Sequence, residues 1–144
     1  MVWLRRRYLV VDVVGSSMEP TFRPGQQVVA RRVQGRRVRA DDVVVVRDID
    51  GIGPPGAPDV DDKLLRYAPC LIKRVVARSG DPVPRDLIPA LRDVTEPVVP
   101  EGRIVLAGDN AVASYDSRKH GYYLEKQVIG KVVRPGRSVL GEEC

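Results

Sequence analysis

No apolar run in this 144-residue chain exceeds six residues, and the longest, Tyr67–Ile72, is interrupted by Pro69. A bilayer-crossing helix needs roughly 18 or more consecutive apolar residues, so no segment of the sequence qualifies. No segment repeats its apolar residues at helical spacing over a useful length either. What the short runs share is valine, 26 copies against one Phe and one Trp. Branching at Cβ suits an extended backbone and disfavours a helix. With 43% hydrophobic residues the chain can build a core, which excludes a disordered polymer. The expectation is a single, mainly β domain of coiled antiparallel sheets, its body at about 8–134 and a tail at 135–144.

The runs place strands at Tyr8–Val14, Gln27–Arg31, Asp42–Arg47, Leu71–Arg78, Arg103–Ala107 and Gln127–Arg134. Glycines and prolines crowd Asp48–Asp62, which reads as a surface loop. Asp86–Asp93 reads as one short helix, curtailed by Pro89. Gly108–Gly121 is polar and reads as a long loop.

Several chemistries fall away on residue counts alone. Two cysteines, Cys70 and Cys144, cannot make a multi-disulfide scaffold or a four-cysteine zinc site. The single histidine, His120, lies in a polar loop and reads as a solvated side chain. Metal catalysis wants two or three clustered His or Cys ligands, so no metal and no cofactor is expected. No glycine-rich phosphate cradle links a strand to a helix. Met1–Leu4 is too short for the apolar part of a cleavable leader, and Arg5–Arg7 follows it instead of preceding it. The net charge is +5, with signs mixed along the chain. Arg31–Arg39 carries five arginines in nine residues, but no aromatic side chain is interleaved for base stacking. A solvated hairpin, or a face toward anionic lipid, suits that patch better than a nucleic-acid site.

A serine can be activated by a neutral lysine instead of a histidine. Free lysine titrates at roughly 10.4, and desolvation lowers that, so such a base belongs on an apolar strand. Of five lysines, only Lys73 has aliphatic neighbours on both sides, in Leu71-Ile72-Lys73-Arg74-Val75-Val76. Strand alternation sends Lys73 and Arg74 to opposite faces. The blander reading is an edge-strand lysine that discourages aggregation. Ser17 is the matching nucleophile candidate, in a turn made permissive by Gly15 and stiffened by Pro20, with Met18 as an apolar floor. Such a turn can turn backbone N–H groups toward an oxyanion, although serines also occur in ordinary turns.

Gly15-Ser16-Ser17-Met18-Glu19-Pro20-Thr21 resembles the nucleophile box of type I signal peptidases, Ser-Met-x-Pro-Thr. Pro24–Val29 with Asp42–Arg47, then Lys73–Val76 through Gly80-Asp81, then Gly108-Asp109-Asn110 with Ser114-Tyr115-Asp116-Ser117-Arg118, resemble the family's later boxes in the family's order. The resemblance runs from about Val10 to Arg134. It implies that Ser17 is acylated, that Lys73 is the general base, and that Ser114 orients the lysine amine. It further implies that Asp116 and Arg118 form a buttressing salt bridge, and that Asp109 and Asn110 shape the adjoining turn. The Ser17 backbone N–H would be one oxyanion donor. Some members use a serine hydroxyl two positions before the nucleophile as the second donor. Gly15 stands there, which leaves Ser16 or a backbone group. The implied substrate is a precursor protein with small residues at the first and third positions before the cut, as in Ala-x-Ala, bound as an extended strand. The strand before Ser17 and the Val75–Arg78 end of the base strand would flank it, with Met18, Val75 and Val76 as lining.

The family normally has membrane helices before the nucleophile box, where this sequence has 16 residues. The expectation is a minimal catalytic core without the anchor, touching the extracytoplasmic face of a plasma membrane through Trp3 and Arg5–Arg7. Ala77 and Ser79 replace the usual Gly and Pro after Lys-Arg. The nearest rivals are self-cleaving repressor proteases, which share the Ser–Lys pair, and a non-catalytic basic β domain binding nucleic acid or anionic membrane.

Overall fold

The computed structural model describes residues 7–48 and 68–134. Their valine-rich segments form β1 (Tyr8–Asp12), β2 (Gln27–Arg32), β3 (Val43–Arg47), β4 (Cys70–Arg78), β5 (Arg103–Ala107), β6 (Tyr123–Leu124) and β7 (Val128–Arg134). All seven join one sheet in the order β1-β2-β7-β3-β4-β5-β6, every pairing antiparallel. The expected mainly β architecture of coiled antiparallel strands is thus present, as a single curled sheet. Irregularities at Val29/Ala30, Val45/Val46 and Val75/Ala77 supply the curl, since each bulge adds local twist.

Curling wraps three apolar clusters. Val38, Val44, Val46, Val75, Ile104, Leu106, Tyr123 and Val128 make the first. Ala77, Val83, Ile88, Leu91, Val99 and Val105 make a second beneath the 82–100 connection. Val13, Met18, Phe22, Val28 and Ile72 make a third, which fastens the loop after β1 to β4. The run Val44-Val45-Val46 is 0% exposed throughout, so β3 is covered on both faces and loses the alternation of a half-wet strand.

The deviations from expectation have local causes. β1 stops at Asp12 because Val13 turns into the third cluster, where its N–H donates to Gln26 O (2.8 Å) and its C=O accepts from Gly25 N (2.9 Å). The helix expected at Asp86–Asp93 shrinks to one 3-10 turn, Pro89–Leu91, around the proline. The polar 108–121 stretch contains a 3-10 turn at Ala111–Ala113 and one helical turn, α1, at Ser117–His120. Most of the expected 48–62 loop, the 135–144 tail, Trp3, Arg5 and Arg6 lie outside the described residues. Among the described residues no helix is long and apolar enough to cross a membrane.

Candidate active site

Two loops meet over one strand. The first follows β1, and its anchors are Met18 (1% exposed) and Phe22 (2%), whose burial holds the intervening backbone at the surface. Gly15 takes φ +76°, where a side chain would be strained, and turns the chain out of the sheet. Ser16 C=O then accepts from Glu19 N (3.1 Å) and Met18 C=O from Phe22 N (3.0 Å), closing a tight turn with Ser16 and Ser17 half-buried upon it.

The strand is β4, which carries Lys73 at only 2% exposure. Its Nζ donates to Ser114 Oγ at 2.9 Å. Ser114 in turn donates its one hydroxyl proton to Asp116 Oδ2 at 2.5 Å. The order of donors matters: with that proton committed, Ser114 can only accept from the amine. One Lys73 N–H is thereby fixed on Ser114, and the remaining tetrahedral positions on Nζ are oriented.

Asp116 is 0% exposed, and such a carboxylate survives only with its oxygens satisfied. Arg118 grips it through Nε (3.0 Å) and NH2 (2.6 Å), and backbone N–H groups arrive from Gly108 (2.9 Å) and Arg118 (3.1 Å). Desolvation, the largest influence, pushes its carboxyl pKa up. The bonds from Arg118, Ser114 and Gly108 overcome it and bring the value down to about 2. Arg118 also donates to Gly108 O at 2.9 Å, and Ser117 Oγ accepts from Leu106 N at 2.9 Å, so the loop is bolted to the end of β5.

Gly108 is where the two loops touch. A Cβ built there would lie 2.6 Å from Ser17 O and 2.7 Å from Ser114 Cβ, and closer still to Ser114 Oγ. Only glycine lets the Ser17 and Ser114 backbones come this close. Asp109 is the clamp beside it, accepting from Arg74 Nε and NH2 (both 2.8 Å) and from the Thr21 hydroxyl. The Arg74 guanidinium, chief among these donors, holds the Asp109 carboxyl below its ordinary range. One carboxylate thus ties together the loop of Ser17, the strand of Lys73 and the 108–121 loop. Asn110 adds two bonds to the same junction, from Nδ2 to Ser16 O (3.0 Å) and from its backbone N–H to Ser17 O (2.8 Å).

Of the residues singled out from sequence, Ser16, Ser17, Lys73, Ser114, Asp116, Arg118, Asp109 and Asn110 are all drawn to this junction. Met18, Val75 and Val76 are placed otherwise. Met18 and Val75 are each 1% exposed in core clusters, and half-buried Val76 packs against the second cluster. The Val75–Arg78 end is also no free edge: Val75 N donates to Asp42 O, its C=O accepts from Asp41 N (2.8 Å each), and β5 covers the other side. Alternation then turns the N–H and C=O groups of Cys70 and Ile72 away from β3, toward a side that β5, ending opposite Arg74, has already left.

His120 departs from the solvated reading. It ends α1, and its ring lies 4.5 Å from that of Tyr123 and 5.4 Å from that of Tyr115, with Nε2 buried. It is an aromatic wedge under the loop. Sequence reasoning also missed Thr21, Arg74 and Gly108. Each occupies a motif position (the Thr of Ser-Met-x-Pro-Thr, the Arg of Lys-Arg, the Gly of Gly-Asp-Asn), and that was the available signal.

Comparison with known proteins identifies the family. The model of the family "Signal peptidase, peptidase S26" matches residues 3–87 and 85–135. Signal peptidase I V of Bacillus subtilis (strain 168) is 31% identical over 142 aligned residues, covering 87% of this chain and 83% of the relative. The probable thylakoidal processing peptidase 2, chloroplastic, of Arabidopsis thaliana is 30% identical over 140 residues, covering 85% of this chain and 36% of the relative. The chain belongs to the S26 signal peptidase family and is a serine-type endopeptidase of that family, acting on precursor proteins that carry leader peptides.

Proposed function

We propose that Ser17 is the nucleophile and Lys73 its general base, in a reaction that cuts leader peptides after small residues. The observation that carries this reading is the buried amine of Lys73, bonded to Ser114 beside the glycine against which the Ser17 carbonyl rests. Burial at 2% exposure favours the neutral amine over the ammonium. The nearest anion behind Ser114, Asp116, is matched by its two-pronged contact with Arg118, which limits its pull toward the charged form.

With one N–H held by Ser114, the lone pair of neutral Lys73 is available to the Ser17 hydroxyl. As Ser17 Oγ bonds to the scissile carbonyl carbon, its proton passes to Lys73 Nζ and the carbonyl oxygen becomes an oxyanion facing the Ser17 N–H. Collapse breaks the C–N bond, and the lysine ammonium returns its proton to the departing amine. A water molecule then repeats the sequence: Lys73 takes its proton, the hydroxide carbon bond forms, and the acyl-oxygen bond to Ser17 breaks with return of that proton.

The substrate lies extended between the end of β1, which borders the sheet with only β2 beside it, and the Cys70–Ile72 edge of β4. Backbone pairing accepts many sequences, while small side chains before the cut match the Ala-x-Ala pattern of the family. The enzyme works at a membrane surface, on the extracytoplasmic side, with its exposed arginines Arg31, Arg36, Arg37 and Arg39 available to anionic lipid.

Incubation with a panel of preproteins, with the new termini mapped by mass spectrometry, tests the reading. Cuts after Ala-x-Ala that vanish in Ser17→Ala and in Lys73→Ala are expected. A repressor-type protease would cut its own chain and leave the panel intact. The pH–rate profile should rise with an apparent pKa well below that of free lysine; a limb near 10 would mean a solvated amine and refute the base assignment.

A further inference from the structure

We infer that Asn110 is the positioning residue of the oxyanion hole, an inference that rests on the assignment of Ser17 as nucleophile. A trans peptide unit carries its C=O and N–H in opposite directions. Whatever holds the Ser16 carbonyl therefore aims the Ser17 N–H the other way. Asn110 holds it, donating from Nδ2 at 3.0 Å, and the backbone N–H of the same residue holds the next carbonyl, that of Ser17, at 2.8 Å.

Both carbonyls flanking the nucleophile are thus drawn toward the 108–113 turn, and the Ser17 N–H is turned from it toward the open side. Glu19 N also donates to Ser16 O, but it belongs to the same short turn and moves with it. Asn110 is the tie from outside that turn. Nothing on the N-terminal side replaces it, because Gly15 at φ +76° lacks a side chain to lock the peptide or to offer a hydroxyl to the oxyanion. If the Ser16–Ser17 unit rotates, a carbonyl oxygen faces the developing negative charge, and attraction becomes repulsion.

The position of Asn110 is itself secured. Its neighbour Asp109 is clamped by Arg74 and Thr21, and Ala113 N donates to Asn110 O at 3.1 Å. The amide therefore reaches Ser16 from a fixed base, as a positioning group should.

The experiment compares Asn110→Ala and Asn110→Asp with wild type on a fluorogenic Ala-x-Ala peptide, together with inhibition by a peptide boronate that ends in alanine. Removing a direct oxyanion donor costs roughly 10²–10³ in kcat; loss of its orientation is expected to cost about ten- to a hundredfold. KM should stay within about twofold, the pH–rate midpoint should not move, and the boronate should weaken by the same factor as kcat/KM. Asn110→Asp keeps the backbone bond to Ser17 and guards against a folding failure of the alanine variant. Wild-type kcat in both variants overturns the inference, as does a kcat loss accompanied by a shifted pH midpoint, which would place the damage at Lys73. Either result leaves the dyad standing if Ser17→Ala and Lys73→Ala remain inactive, so the two assignments fail separately.

Discussion

Gly108→Ala puts one methyl group into the narrowest place in the molecule. The added carbon would sit 2.6 Å from Ser17 O and 2.7 Å from Ser114 Cβ, whereas ordinary contact begins near 3.4 Å. One side or the other must retreat by about 0.8 Å. Ser17 O is backbone, held by Asn110 N at 2.8 Å, and Ser114 is held between Lys73 (2.9 Å) and Asp116 (2.5 Å), so neither can yield by a rotamer change. Overpacking of this kind costs about 1–3 kcal/mol, which for a chain of this length corresponds to roughly 3–10 °C in melting temperature. The greater effect is expected on catalysis, because the displacement separates Ser17 from Lys73, the proposed nucleophile and base. A misplacement near 1 Å can cost about a hundredfold. Cleavage of an Ala-x-Ala peptide, normalised to folded protein by far-UV circular dichroism, reads kcat/KM directly. Gly35→Ala is the control, since its Cβ would lie 2.9 Å from the Glu125 carbonyl carbon and closer still to the oxygen, at the end of β5 far from Gly108. It should lose stability to a similar degree and keep the activity of its folded fraction. Wild-type activity in Gly108→Ala, or equal inactivation by both variants, would refute the claim that this contact sets the geometry of the site.

Ser17→Ala and Lys73→Ala should each lower kcat by several orders of magnitude while leaving the melting temperature within a few degrees of wild type; near-full activity of Lys73→Ala would remove it as the base. Asp116, lowered from 3.8 to about 2 in the fold, stabilises the native state above its unfolded pKa and loses that contribution as pH falls through the folded value. Its worth is about 2 kcal/mol at neutral pH, so the difference between wild type and Asp116→Asn in urea titrations should shrink between about pH 4 and pH 2, and a constant difference would contradict the linkage. Flotation with anionic vesicles should capture the protein in low salt and release it in high salt, while Arg36→Ala combined with Arg37→Ala should weaken binding about thirtyfold, at roughly 1 kcal/mol per arginine. Equal binding to zwitterionic vesicles would argue against an electrostatic contact.

The strands were legible because their signal is local. Val43–Val46 and Leu71–Arg78 declare an extended backbone by their own side chains, and both fall in the sheet close to the expected limits. β6 was not legible, since Tyr123–Leu124 is two residues long and exists only because Arg103 and Ile104 lie opposite it. The site divides along the same line. Ser17 and Lys73 stand out because a reactive group sits in a neighbourhood unusual for it, a hydroxyl in a permissive turn and an amine among aliphatics. Met18 and Val75 show the limit of that signal: an apolar residue beside a reactive one fits a pocket wall or a core equally well, and both pack in core clusters. Asp116 is harder still, because a carboxylate in a polar loop gives no local sign of being 0% exposed. Its burial follows from Arg118 two residues on, which satisfies the oxygens, and from Gly108, whose missing side chain lets the loop close.

That dependence explains why the polar segment of this chain is its most demanding part. The valine strands tolerate approximate volumes so long as the sheet remains covered. The junction at Gly108 joins Ser16, Thr21, Arg74, Asp109 and Asn110, residues as far as 94 positions apart in sequence, through directional bonds that cannot slide. The proposed base Lys73 must stay dry and the proposed nucleophile Ser17 must stay reachable, which requires such a joint, because a softer one would either hydrate the amine or let it drift from the hydroxyl. Substitutions along β3 should therefore reduce stability first and activity only through it, whereas substitutions at 108–110 should reduce kcat in protein that remains folded. If stability and kcat fell together at both places, the separation between scaffold and joint would be false.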